Sequence, residues 1–458
     1  MLRLFRVYVP AGVAALLASE FILLYVCYLA ATFAWLRADA AVFLADDLGW
    51  LRILIVVLCL MLSIYFHDLY SNLGERPREL LQQVGVVAGT AFLTEAILGY
   101  LKLRQLVVPA GPMIAGSALT IAALLAWRIV FRVLLRRMPS DTLIFLGDSP
   151  VLREIASHLD AHPEKGLTPL GFLDDSTPPT GKRLGAISDL REVVDRYRPK
   201  RIVVGLRERR SNLPVAQLLE LRLSGVRIED VLTTYEMAFE RISTHELRPS
   251  QLIFSSSALG PNRTGLRLQA AYSRAIAAGA AVVAAPVMLL VAALVKLTSP
   301  GPVLFRQQRV GKNNRIFTLY KFRSMVLDAE AHSGAVWAAP NDPRVTPVGR
   351  WLRKLRLDEL PQLFNVLQGD MSIVGPRPER PEFVAELEKR IPYYRQRHCI
   401  KPGITGWAQI KHKYGDTVED TVVKLEYDLY YIKNLSPALD AVIMFHTAKV
   451  MLLSRGAQ

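Results

Sequence analysis

The sequence predicts a membrane α plus α/β protein in three parts: a four-helix transmembrane bundle, a Rossmann-like parallel α/β domain, and a mainly helical domain anchored by a re-entrant helix hairpin. Two features of the whole chain and one of its middle point there. Among 458 residues 51% are hydrophobic, yet 56 Lys+Arg against 41 Asp+Glu leave a net charge of +15. Soluble domains seldom combine the two, whereas membrane proteins with basic cytoplasmic flanks do. The apolar excess is gathered into runs of bilayer length, and the middle of the chain alternates β-rich and amphipathic stretches. The parts are expected at 1–138, 139–260 and 261–458. Cys27, Cys59 and Cys399 stand far apart with no CxxC pair, which predicts neither a disulfide framework nor a zinc site and suits a reducing compartment.

Four apolar runs extend from about Pro10 to Leu36, Leu51 to Phe66, Leu80 to Leu101 and Val107 to Leu125, the second of them short. An even number of spans returns the chain to its starting side. Arg128, Arg132, Arg136 and Arg137 crowd the exit of the fourth, which places that end, and with it Arg3 and Arg6, in the cytoplasm. Inside the runs, Glu20 and Glu95 suit either ordinary interhelix pairing or an ion path.

In the middle part, Thr142–Leu146, Pro169–Leu173, Arg201–Leu206 and Val226–Val231 read as strands, with Leu152–Leu159 as a helix between the first two. Strands alternating with helices predict a parallel, doubly wound sheet. Its first turn, Gly147-Asp148-Ser149-Pro150, lacks the GxGxxG glycines, and Asp148 would repel a pyrophosphate. A structural, oligomerising or regulatory role fits this part better than dinucleotide binding.

A fifth apolar run, Ala275–Val295, opens the third part with Pro286 at its centre. Arg263, Arg267 and Arg274 precede it, and Lys296, Arg306, Arg309, Lys312 and Arg315 follow, so both ends ask to be cytoplasmic. A mid-helix proline removes a backbone hydrogen bond and favours a bend. Together these predict a helix–break–helix hairpin over about 270–297 that leaves the membrane on the side it entered.

Beyond it, Phe305–Lys312 and Lys321-Phe322-Arg323-Ser324-Met325 are rich in cations, although Gly311-Lys312 is no P-loop. Beside a membrane hairpin such cations suit a solvated face, lipid headgroups or a phosphate-bearing substrate. In Asp358-Glu359-Leu360-Pro361-Gln362-Leu363-Phe364-Asn365-Val366-Leu367, the residues Leu360, Leu363, Phe364 and Leu367 have the spacing of a buried helical face. Pro361 is tolerated only in a first turn, which starts the helix near Asp358. Two readings stand here. Asp358 is an N-cap with Glu359 favoured by the helix dipole, or the pair is a nucleophile and metal ligand placed where phosphate binds. The rigid Gly/Pro loop Gly369–Glu379 presents Arg377, whose guanidinium suits phosphate oxygens.

These residues carry a resemblance. GPVLFRQQRVGK (301–312), KFRSM (321–325), NDPRVTPVGRWLR (341–353), LDELPQLFNVLQGDMSIVGPRPE (357–379), KPGITGWAQI (401–410) and DLYYIKNLS (428–436) stand in the order found in the bacterial sugar transferase domain of monotopic polyprenyl-phosphate phosphoglycosyl transferases. They lie between Gly301 and Leu453, about a third of the chain. Four spans and a Rossmann-like module ahead of that domain resemble the large members that initiate exopolysaccharide or O-antigen synthesis. Tyr414-Gly415-Asp416 with Val418-Glu419-Asp420 is most similar to the exopolysaccharide subgroup.

The resemblance implies transfer of sugar 1-phosphate from a UDP-sugar to undecaprenyl phosphate with release of UMP, at the bacterial cytoplasmic (inner) membrane with the soluble domains facing the cytoplasm. It implies that Asp358 attacks the β-phosphate to form a phosphosugar-aspartate intermediate and that Glu359, with Asp358, holds Mg2+. Lys321, Arg323, Arg353 and Arg377 are implied phosphate binders, and Arg309, Asp370, Glu379, Trp407 and Gln409 candidate pocket residues, the last two equally suited to packing. Phosphoryl transfer needs positioning and charge neutralisation above all, which such a set supplies. A hexose donor is expected ahead of an N-acetylhexosamine. A homodimer through the middle domain is implied, with later glycosyltransferases of the pathway as further partners. The sequence departs from the family at Ala285, before Pro286, where Ser is usual, and at Ser273, where an Asp is.

The remaining candidates carry less. His398, Cys399 and His412 fit no zinc spacing. Ala438–Leu453, with His446 and Lys449, suits a helix on the membrane surface or one packed on the third domain. Two other function classes compete with the enzyme: a scaffold that has lost activity, opposed by the intact Asp358-Glu359 pair, and a basic nucleic-acid binder, for which no motif is present. No nucleic acid is expected as a partner.

Overall fold

A computed structural model describes residues 2–4, 7–9, 11–67, 69–70, 77–100, 104–137, 140–175, 182–206, 213–247, 263–327, 329, 342–412 and 417–452. The domain boundaries expected at 138/139 and 260/261, and Tyr414-Gly415-Asp416, lie outside the described residues. A short antiparallel pair, β1 (Leu2–Leu4) and β2 (Val7–Val9), precedes the first helices.

Four long helices follow, α1 (Ala11–Leu36), α3 (Gly49–Phe66), α4 (Pro77–Tyr100) and α5 (Ala110–Arg137), with short α2 (Ala40–Ala45) between the first two. Each of the four is long and apolar enough to cross a membrane. Leu24, Tyr28, Ile53, Val57, Leu60, Val84 and Leu124 share a core between them. Glu20 is buried in an ion pair, its Oε1 2.7 Å from Arg128 Nε, and Oε2 accepts from the Tyr70 hydroxyl at 2.7 Å. The interhelix reading of Glu20 therefore has its partner. Arg128, counted from sequence among the exit cations, is instead 7% exposed inside the helix packing. Glu95 accepts from the Val108 backbone N–H.

The middle domain is a five-stranded parallel sheet in the order β5 (Arg183–Gly185), β4 (Leu167–Leu173), β3 (Asp141–Leu146), β6 (Arg201–Val204), β7 (Arg227–Asp230). Alternation along β3 splits its core in two. Leu143 and Phe145 meet α6 (Pro150–Ala161) and α9 (Val231–Phe239), while Ile144 and Leu146 meet α7 (Leu190–Tyr197) and α8 (Val215–Leu223). The first turn is no phosphate cradle. Ser149 caps α6 by accepting from Leu152 N–H, and Asp148 is paired with Arg153.

The third domain starts with α10 (Arg263–Thr298). No non-helical residue marks the expected break. The helical backbone runs through Pro286, which costs it the bond to the Val282 carbonyl without ending it. Both ends are tied to the same domain. At the start, Gln269 donates to Asp440 Oδ2 (2.8 Å) and to the Tyr431 hydroxyl (2.6 Å), and the Ser273 and Ser372 hydroxyls pair at 3.0 Å where the family usually has an Asp. Near the finish, Val291 and Val295 pack with Phe322 and Leu352. Between the anchors the apolar surface is uncovered, with Val283 81% and Leu289 72% exposed.

The remaining elements are an antiparallel hairpin of β8 (Leu304–Val310) and β9 (Ile316–Phe322), helices α11 (Pro347–Lys354) and α12 (Gln362–Gln368), and a parallel pair β10 (Ser372–Val374) and β11 (Gly403–Thr405). Helices α13 (Pro381–Arg390), α14 (Trp407–Lys411), α15 (Val418–Asn434) and α16 (Pro437–Leu452) complete it. The last packs on the third domain, one of the two arrangements expected for it. Leu439 and Ile443 are buried in the domain core, and Lys449, 5% exposed, donates to the Tyr65 carbonyl of α3.

Candidate active site

A cavity of about 1150 Å³ opens in the third domain. Asp358 lines it together with Lys321, Arg323, Arg353, Arg377, Arg309, Glu379 and Gln409. Arg306, Arg344, Arg380, Arg397 and Lys424 add to the wall, so cations far outnumber acids there and a polyanionic ligand would be favoured.

Asp358 does not cap a helix. Leu357–Glu359 form a 3₁₀ turn, α12 starts only at Gln362, and Pro361 stands at its N-cap. The turn is forced by Arg356, whose φ of +55° reverses the chain after α11. The bland N-cap reading therefore fails on geometry. The buried face of α12 also differs from the one expected. Gln362, Leu363, Asn365 and Val366 are inside, while Phe364 and Leu367 are exposed. Asn365, missed from sequence because it interrupts an apolar pattern, explains the rotation. Its Nδ2 donates to the Thr318 carbonyl and its Oδ1 accepts from Tyr320 N–H, pinning β9 beside the dyad.

Glu359 sits behind Asp358, and its Oε1 accepts from both Lys321 Nζ (3.1 Å) and Arg377 Nη2 (3.0 Å). Burial pushes its carboxyl up, but Lys321 and Arg377 outweigh that and hold it well below the usual carboxylate range. Asp358, 8% exposed, is pushed the other way: burial raises it, and the Glu359 charge adds to that against Lys321, Arg353 and Arg377. Two adjacent carboxyls with opposite shifts in a cationic cleft mark a site for chemistry rather than packing. Arg353, in the last turn of α11, is aimed by its Nε bond to Ser324 Oγ at 3.1 Å. Arg377 is held from behind: Arg397 Nη2 donates to its carbonyl at 3.0 Å, and Arg397 is itself paired with buried Asp428. Ser324 and Asp428 stand in the KFRSM and DLYYIKNLS blocks, but those blocks did not tell which residue each would position, and Arg397 lies in none of them.

Other expected residues are placed differently. Arg323 points its terminal nitrogens at the end of α10, Nη1 to the Pro300 carbonyl (2.8 Å) and Nη2 to the carbonyl and hydroxyl of Ser299 (both 2.7 Å). Those donors are committed to a helix end and not to a phosphoryl group. Arg309 braces the loop, donating to Gln307 and to the Pro378 carbonyl, with Glu379 at 3.5 Å. Trp407 is 3% exposed, stacks on Tyr430 and donates to the Glu240 carbonyl of the middle domain, so it packs instead of lining the cavity. Asp370 lies on the exposed turn after α12, near Lys401. His412 pairs with Asp420, and among the described residues no three His, Cys, Asp or Glu side chains gather as metal ligands, which removes the His398–Cys399–His412 triad.

Two comparisons with known proteins agree with this geometry. The model of the family described as bacterial sugar transferase matches residues 266–454. The UDP-N-acetylgalactosamine-undecaprenyl-phosphate N-acetylgalactosaminephosphotransferase of Aeromonas hydrophila is 55% identical over 173 residues, 38% of this chain and 41% of that protein. Two proteins named UDP-glucose:undecaprenyl-phosphate glucose-1-phosphate transferase also match. That of Escherichia coli (strain K12) is 40% identical over 235 residues, 51% of this chain and 50% of its own length. That of Klebsiella pneumoniae is 35% identical over 322 residues, 68% of each. The chain thus spans half or less of the first two relatives and over two thirds of the third, and the match to the third takes in more than the sugar transferase domain. With that domain carrying a buried Asp-Glu pair in a cationic cleft, the chain belongs to the bacterial sugar transferase family.

Proposed function

We propose that the protein transfers sugar 1-phosphate from a UDP-sugar to undecaprenyl phosphate, the first lipid-linked step of exopolysaccharide or O-antigen synthesis. The observation that carries this is the buried Asp358 facing a cavity ringed by Lys321, Arg353 and Arg377. An Asp358 oxygen attacks the β-phosphorus, the bond from that phosphorus to the bridging oxygen breaks, and UMP leaves with that oxygen. The lipid phosphate oxygen then attacks the same phosphorus, the bond to Asp358 breaks, and the carboxylate is restored with a diphosphate-linked lipid as product. Splitting the reaction lets a soluble donor and a greasy acceptor meet the same carboxylate in turn.

Lys321, Arg353 and Arg377 would offset charge on the phosphoryl oxygens, and Arg397 keeps Arg377 in place for it. Mg2+ fits the pair, since Mg2+ takes one or two carboxylates and completes its shell with substrate phosphates and water. Glu359, kept ionised, spends only Oε1 on Lys321 and Arg377, and with Asp358 it would hold the ion. The bound ion would supply further neutralisation of the diphosphate.

Pro286 inside α10 and both of its ends anchored on one domain, with bare apolar surface between, support a helix that bends at Pro286 and so enters and leaves the same leaflet of the cytoplasmic membrane. The active site would then stand at headgroup depth on the cytoplasmic side, where UDP-sugars are made. A hexose donor is favoured because relatives matched over half or more of both chains carry glucose in their names. A homodimer through the middle domain belongs to the same reading, supported by Val215, Leu219 and Leu223 exposed along one side of α8. Recruitment of later glycosyltransferases is its extension.

The test is UMP release by detergent-solubilised protein with undecaprenyl phosphate, Mg2+ and a panel of UDP-hexoses and UDP-N-acetylhexosamines, beside Asp358→Asn. Turnover with a donor, lost in Asp358→Asn, is expected. An unchanged rate in Asp358→Asn would remove the nucleophile, and silence with every donor would favour the scaffold.

A further inference from the structure

We propose that Arg323 is a positioning residue that ties the exit of the membrane helix to the strand bearing Lys321, and so sets the depth at which the cavity meets its lipid acceptor. The inference rests on the transferase reading above. The tie is built and not incidental. Arg323 is 6% exposed, and three of its bonds, all of 2.7–2.8 Å, go to Ser299 and Pro300 immediately past α10. A guanidinium charge there also answers the negative end of the helix dipole. The turn is shaped to receive it. Gly301 has φ of +119°, and a Cβ at that position would stand 2.1 Å from Arg323 Nη1. The backbone joins in, Arg323 N–H donating to the Val303 carbonyl at 2.9 Å.

What makes the tie consequential is its neighbours on the strand. Lys321 and Arg323, two residues apart, share one face of the strand and its extension. Lys321 reaches Glu359, and Ser324, the next residue along, aims Arg353. Four consecutive residues thus connect the end of α10 to both flanks of the dyad. Lys321 and Arg353 keep bonds of their own to Glu359 and Ser324, so loosening the tie would change how α10 seats the cavity against the bilayer and leave the geometry around the dyad in place. A residue acting this way should matter for an acceptor embedded in the bilayer and much less for a soluble one, which separates it from a phosphate ligand.

The experiment compares wild type with Arg323→Gln, Arg323→Lys and Gly301→Ala in the full chain, with undecaprenyl phosphate and with a water-soluble short-chain isoprenyl phosphate. The expected result is a roughly tenfold higher KM for undecaprenyl phosphate in Arg323→Gln and Gly301→Ala, the loss of about one charged hydrogen bond. Arg323→Lys recovers part of it. The donor KM and turnover with the short acceptor stay within about twofold of wild type in all three variants. A raised donor KM, an equal loss with the short acceptor, or no change at all overturns the proposal. Depth is also read without turnover. A nitroxide on Val326→Cys, three residues beyond Arg323, should change its oxygen accessibility in liposomes when Arg323→Gln is added; an unchanged value overturns the proposal. Wild-type silence with both acceptors would instead count against the transferase reading.

Discussion

His398 offers a perturbation whose size can be worked from the structure. It is 7% exposed, and among the described residues neither ring nitrogen has a hydrogen-bond partner. Burial, and after it the charges of Arg397 and Arg395, push its pKa down to about 3. The other groups on its turn are Tyr394, edge-on to the ring, and the neutral Cys399 thiol, which burial pushes up to about 11. An unfolded histidine titrates near 6.5, so the unfolded chain takes up a proton that the folded one refuses. The stability tied to neutral His398 is therefore fully present above about pH 6.5 and is lost as pH falls toward 3. At pH 4.5 the loss is about 3 kcal/mol, which in a domain of this size lowers Tm by about 5–10 °C. The assay is melting of the detergent-solubilised protein at pH 7.5 and 4.5, followed by tryptophan fluorescence, for wild type and His398→Leu. Other acidic groups titrate alike in both, so the difference isolates His398. The drop in Tm should be smaller in His398→Leu by that amount. Equal drops would show that the ring finds a proton acceptor or water in the folded state.

Two further predictions probe packing. In Gly349→Ala the new Cβ would stand 1.9 Å from the Ser324 carbonyl oxygen, a backbone clash that α11 relieves only by moving. We expect about 2–3 kcal/mol lower stability by thermal melting, with slower UMP release because Ser324 no longer aims Arg353. An unchanged rate would show that Arg353 does not depend on that contact. In the N-terminal helices, Glu20→Leu strands Arg128 and should cost about 3–5 kcal/mol, whereas Glu20→Leu with Arg128→Met should restore most of it. A double variant as weak as the single one would reveal a role for the pair beyond pairing.

How much of this was legible in the sequence depends on how local each signal is. The long apolar helices follow from hydropathy, and β6 and β7 lie within the stretches read as strands while β3 and β4 begin one and two residues before theirs, because in both cases the pattern reports which faces are buried. The Asp-Glu pair, Lys321, Arg353 and Arg377 were legible as chemistry because the family's blocks flank them. What failed were orientations fixed by distant partners. Arg323 was counted as a phosphate ligand on the resemblance, yet Ser299 and Pro300 claim it. Trp407, left open between pocket and packing, is settled as packing only by the middle domain's Glu240 carbonyl, which takes its N–H. The rotation of α12 hangs on Asn365 bonding to β9, a contact some 45 residues away along the chain that no helical periodicity encodes. Pro286 leaves no gap in the helical backbone, since one missing bond is a local cost that a 36-residue helix anchored at both ends can carry.

The placement of α15 bears on why the middle domain travels with the enzyme. Lys424 and Asp428, four residues apart, lie on the helix face that lines the cavity. Glu426 falls between them, about 200° round the helix, and so points away from the cavity. There it is 3% exposed and accepts from the backbone and hydroxyl of Thr244, with Tyr235 and Arg241 close by, all residues of the middle domain or of the segment leaving it. Lys433 and Asn434 of the same helix bond Glu236, and Ile242 inserts into the third domain's core. Burial pushes the Glu426 carboxyl up, so it is held in place by those donors rather than by solvent. Removing the middle domain would leave a carboxylate without its donors and a gap at Ile242 on the back of the helix that carries Lys424 and Asp428. Asp428 in turn holds Arg397, and Arg397 holds Arg377 against Glu359. The middle domain is thus part of the support behind Asp358, and in the proposed reaction its contribution would be mechanical.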